Sequence, residues 1–83
     1  MLYYEIYAMR IRTLCKRRGI SINRLAKMSD LKQSTIDNIL RGVSKNPQVN
    51  TLHKIANALG MTLAEFLDFE ELNAYSFDSE NDR

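Results

Sequence analysis

The apolar residues of this chain recur at intervals of three and four, in short runs, and the runs are punctuated by Gly19, Gly42, Gly60 and the Asn46-Pro47 pair. Tyr7, Ile11, Leu14 and Cys15 share one helical face up to Gly19, a residue suited to a left-handed helix end. Ser21 is placed to cap a second helix through Met28, with Leu25 and Ala26 inward. The segment "SDLK" then leads into a third helix, ending at Gly42, with Ile36, Ile39 and Leu40 as its apolar side. Asn46-Pro47 requires extended or turned backbone. Asn50 is the expected cap of a fourth helix, whose Leu52, Ile55, Ala56 and Leu59 form one stripe before Gly60. Thr62 and Glu65 have the spacing of a capping box and open a fifth helix carrying Leu63, Phe66 and Leu67. No segment sustains two-residue alternation, so no sheet is expected. The reading is an all-α chain of five short helices.

Eighty-three residues, 45% hydrophobic and 27% charged, make one small domain with a core that is only just sufficient. The single cysteine, Cys15, excludes an internal disulfide and fits a reducing compartment. No apolar run approaches the roughly 18 residues of a membrane span. The opening "MLYYEIYAMRIR" lacks a basic start and carries Glu5 early, unlike a signal peptide. The expectation is a cytoplasmic protein with no membrane association.

Charge is distributed unevenly. Residues 1–54 hold eleven of the twelve Lys and Arg against Glu5, Asp30 and Asp37, a balance of +8. Residues 55–83 hold Arg83 against seven carboxylates, a balance of −6. A basic front suits a polyanion, although solvated surface charge produces the same count. From residue 70 onward "EELNAYSFDSENDR" is acidic and without apolar periodicity. The expected organisation is therefore a folded domain over 1–69 and an acidic, flexible tail over 70–83. Tyr75 and Phe77 stand out in that tail and suggest docking, on this chain or on a partner.

The second and third helices, joined by a short hinge, have the layout of a helix-turn-helix. Positions 33, 34, 37, 38 and 41 fall on one face of the third helix, and Ile36, Ile39 and Leu40 on the other. An α-helix fits the DNA major groove, where side-chain amides match paired donors and acceptors on base edges. By that logic Gln33 and Asn38 suit adenine, and Ser34 suits purine or pyrimidine edges.

"GISINRLAKMSDLKQSTIDNILRG", followed by "KNPQVNTLHKIANALGMTLAEFLDF", resembles the xenobiotic-response-element, or Cro-like phage repressor, family of five-helix DNA-binding domains. The resemblance covers about residues 6–68. It implies a compact bundle of the lambda-repressor-like type, with no cofactor and no catalytic or metal site. It places Gln33, Ser34 and Asn38 where the family reads bases. Asp37 lies beside them, to accept from cytosine or to face solvent. Phosphate contact is implied for Thr35, for Arg41, Ser44, Lys45 and Asn46 after the reading helix, and for Arg17 and Ser21 near the second helix. Such contacts position a protein without conveying sequence.

The chain departs from the family pattern at several places. Ile22 stands where Gln commonly contacts a phosphate, leaving Asn23 as the substitute. Asp30 occupies a hinge position where Gly is common, and tolerates a left-handed conformation at some cost. Lys32 replaces a Ser or Thr cap before the third helix. Cys15 and Leu40 stand where many relatives pair an Arg with a Glu, so an apolar pair replaces an ion pair, with contact expected between the first and third helices.

Other residues read as structural. Cys15 lies on the apolar stripe and reads as core rather than redox sensor. His53 has no companion ligand and reads as a surface residue. The serines and one histidine form no nucleophile-base arrangement, so no enzyme activity is expected. The cluster "CKRRG" at 15–19 serves the helix dipole, a phosphate, or both. A second stripe, Leu2, Ile6 and Met9, accommodates either internal packing or a dimer interface. The sequence thus points to a DNA-binding transcriptional regulator acting as a repressor, homodimeric on a double-stranded operator. The alternative is an antitoxin-like or adaptor module on the same scaffold, with the tail as docking arm.

Overall fold

In the computed structural model, which describes residues 1–78, the chain forms six helices: α1 Tyr3–Arg18, α2 Ile22–Met28, α3 Gln33–Leu40, α4 Val49–Ala58, α5 Leu63–Leu67 and α6 Glu70–Asn73. The all-α expectation holds among the described residues. One sequence-encoded device ends four of these helices. After α1, α2, α3 and α4 the chain enters a left-handed residue, at Gly19, Asp30, Gly42 and Gly60. The amide of the next residue then bonds back to a carbonyl five positions earlier, as in Ile20 N–H to Cys15 and Leu31 N–H to Ala26. Ile20, Leu31 and Met61, the residues just past three of these turns, pack against the core and close each helix with an apolar contact.

Asp30 adopts φ 56°, the left-handed conformation expected of it in the hinge. The buried Ser29 hydroxyl closes α2 from within, donating to the Leu25 carbonyl at 2.6 Å. Ser21 caps α2, its Oγ accepting from the Arg24 amide at 3.1 Å. Lys32 precedes α3 without a side-chain cap bond, as expected of lysine there. The Thr62–Glu65 capping box is complete. Its bond from the Thr62 amide holds the exposed Glu65 carboxyl below the usual carboxylate range, so this cap weakens as pH falls through that lowered value.

The expected cap of α4 is corrected. Gln48, not Asn50, is the N-cap residue, and it makes no side-chain cap bond. Gln48, directly after Pro47, is extended at ψ 146° and Val49 is the first helical residue, so Asn50 lies inside the first helical turn.

The core gathers Ile11, Leu25, Ile36, Ile39, Ile55, Leu59 and Phe66, each almost wholly shielded from solvent. α3 packs against both α1 and α2, and α4 packs against α2 and α5. Ile6, set apart from the inner core by its stripe, is also buried, whereas Leu2 is exposed and Met9 half-buried. Ile6 is buried within the single chain, so internal packing accounts for that position, and Glu71, Ala74 and Tyr75 line a groove beside it.

The sixth helix lies in the segment expected to be a tail. Leu72 packs against the core. Tyr75 and Phe77 close on Tyr3, with ring centroids 5.0 and 5.2 Å away, so both rings dock on this chain. Tyr3 and Tyr7 share a hydroxyl–hydroxyl hydrogen bond of 2.6 Å. Burial and that bond push the Tyr7 phenol well above its usual range. Of the flexible tail expected over 70–83, residues 79–83 lie outside the described residues.

Candidate nucleic-acid interface

α3 divides its side chains as its periodicity requires. Ile36 and Ile39 are buried; Gln33, Ser34 and Arg41 are exposed; Thr35, Asp37 and Asn38 are half-buried. The helix is therefore anchored along one edge while its amides and guanidinium line the other. Arg41 donates from Nη2 to Asn38 Oδ1 at 3.2 Å, a bond that helps orient the amide. The Asn38 carbonyl accepts from both Val43 and Ser44 amides at 2.9 Å, tying the following loop to the helix.

That loop distributes the expected phosphate contacts. Thr35, Ser44 and Asn46 line one polar cleft with Asn50, Thr51 and Lys54 from α4. Sequence reasoning gives Lys54 no site role and Asn50 only that of a helix cap; their spacing of four on one helical face is the signal that joins them. Lys45 turns elsewhere, its Nζ lying 5.3 Å from the centroid of the Tyr4 ring. The same ring lies against Gly42, so close that a β-carbon there would clash with it.

Gly42 thus has two reasons to be glycine, a φ of +76° and the ring above it; Gly19 has φ +64° and open space. Gly42→Ala is expected to cost at least about 1 kcal/mol for the left-handed backbone, and more for displacing the ring. Thermal unfolding of Gly42→Ala beside Gly19→Ala measures the difference, and equal losses would deny the ring contact.

The α2 end is simpler. Ser21 and Asn23 are both exposed at its start. The Ser21 oxygen accepts the cap bond, which leaves its O–H free to donate outward. Ile22, in the family's Gln position, is half-buried against the core. Arg17 is not gathered with these groups: it borders a groove with Arg10, Phe69, Glu70 and Glu71. Arg10 serves the fold, donating to the Phe66 and Glu65 carbonyls at 2.9 and 3.0 Å, with its guanidinium over Phe69. Burial, then the nearby Arg17, lowers its pKa. Not all of the basic front therefore faces outward for a ligand.

The sequence pattern of the Cro/C1-type HTH DNA-binding domain matches residues 10–71. The chain belongs to this family. The resemblance read from its motifs is thereby confirmed, and with it the helix-turn-helix assignment. The chain is 42% identical over 62 residues to the HTH-type transcriptional regulator SlrR of Bacillus subtilis (strain 168). That match takes in 75% of this chain and 41% of SlrR, so the chain spans about two-fifths of that relative's length. The fold is also similar to the crystal structure of the prophage Lp1 protein 11, with a TM-score of 0.78 at 30% identity, covering 87% of this chain and 95% of that one. Among the described residues, no helix is long and apolar enough to cross a membrane.

Proposed function

We propose that this Cro/C1-type protein is a sequence-specific transcriptional regulator, a repressor that binds double-stranded operator DNA as a homodimer and reads the major groove with α3. The observation that carries the reading is the outer face of α3, where Gln33, Ser34, Asn38 and Arg41 are held outward by a buried Ile36–Ile39 edge. Asp37, half-buried on the same helix, is the acceptor available to cytosine. Ser21, Asn23, Thr35, Ser44, Lys45 and Asn46 supply donors around that face for phosphates, with Arg17 more remote. The similarity to a regulator and to a prophage protein supports the regulatory role. Two copies fit two half-sites about one DNA turn, roughly 34 Å, apart.

Selection from a random duplex library tests the proposal. Enrichment of a twofold-related pair of half-sites with about ten base pairs between centres is the expected outcome. A second reading, a protein-interaction module that docks a partner through the acidic segment 70–83, draws on Phe77, a residue that stays 56% exposed next to Asp78 although its ring meets Tyr3. Absence of any enriched sequence, together with no duplex affinity at low salt, would favour that module instead.

A further inference from the structure

We infer that Tyr4 is a positioning residue for the DNA-backbone contact of Lys45, an inference that rests on the duplex-binding reading above. Three features of the chain converge on this ring. Gly42, the left-handed residue after α3, has no side chain, and the Tyr4 ring occupies the space a β-carbon would take. Val43 and Ser44 are tied by their amides to the Asn38 carbonyl, so the loop backbone is fixed up to the residue before Lys45. Lys45 is exposed, and its ammonium stands 5.3 Å from the Tyr4 centroid.

The physical consequence concerns rotamers. An exposed lysine samples many conformations, and a phosphate contact must select one of them. A ring face beneath the ammonium attracts it through the ring quadrupole without removing its hydration or its charge. The Tyr4 ring sits on the first turn of α1, a helix packed against α3, so it offers a fixed shelf. Thr35, Ser44 and Asn46 line the cleft toward α4, while the Tyr4 shelf holds Lys45 apart from that group. The loop thereby presents donors on two sides of the reading helix. Any loss of the shelf should weaken binding to every duplex, because phosphates carry no sequence.

The test is a double-mutant cycle of Tyr4→Leu and Lys45→Ala, read on selected and scrambled duplexes. Tyr4→Leu is expected to weaken both complexes about two- to fivefold, the worth of an exposed cation–π contact. Tyr4→Phe retains the ring face and is expected to restore wild-type affinity. In the Lys45→Ala background Tyr4→Leu should change nothing further. In the DNA-free protein, the Lys45 methylene protons should resonate upfield from ring currents and return to ordinary positions in Tyr4→Leu. Equal losses in both backgrounds, or ordinary Lys45 shifts in the unaltered protein, would overturn the inference. If the unaltered protein shows no duplex affinity at low salt, the DNA reading itself fails and takes this inference with it, an outcome distinct from equal losses.

Discussion

Cys15→Arg is expected to destabilise the protein by about 3 kcal/mol or more, read as a lower urea midpoint at unchanged slope. Cys15 is buried, 4% exposed, in the cluster that also contains Ile11, Leu14 and Ile39. Burial pushes its thiol pKa up, by the same desolvation that an added charge would meet there. Leu40, half-buried, packs against that cluster from the end of α3. Both positions thus border one apolar cluster, Cys15 from α1 and Leu40 from the end of α3, the arrangement expected if an apolar pair replaces an ion pair. Arginine alone would bring a charge with no acid to meet it. Adding Leu40→Glu should recover part of the loss, because a matched pair offsets much of its own desolvation. A single Cys15→Arg variant as stable as the native protein would show that the guanidinium reaches water, and the replaced-pair account would fail.

The same seam illustrates what the sequence carried. Stripes at Tyr7–Ile11–Leu14 and Leu52–Ile55–Leu59 encode which face is buried, and local stops at glycine encode where helices end. Those signals act over a few residues, so they were legible in the chain. Asn50 is a good capping residue in isolation, but the chain turns helical at Val49, one residue earlier, from an extended Gln48 that no side-chain pattern marks. Tyr4 on Gly42 and Arg10 on the α5 carbonyls join residues far apart in sequence, and no local pattern announces them. Arg10 in particular is one of the basic front's cations by sequence, yet its guanidinium is engaged by the Phe66 and Glu65 carbonyls. The site followed the same division: the outward face of α3 was legible from spacing, while the position of Arg17 beside Glu70 and Glu71 was not.

Gln33→Ala and Asn38→Ala are each expected to cost about 1–3 kcal/mol on the best duplex, since each removes an amide able to pair with adenine through two bonds. Gln33 is exposed and contributes through its own reach. Asn38 is half-buried and held by Arg41, so its loss also frees that guanidinium. Arg41→Ala therefore combines a lost contact to DNA with a less ordered Asn38.

A salt titration of these variants beside Lys45→Ala, on selected and scrambled duplexes, tests the central claim that α3 reads while the loop grips. The account predicts that Gln33→Ala and Asn38→Ala weaken the selected duplex by that margin and barely change the scrambled one. Lys45→Ala should weaken both alike and flatten the slope of log affinity against log salt by about one unit, the mark of one lost phosphate contact. Equal losses on the two duplexes for Gln33→Ala and Asn38→Ala would contradict it.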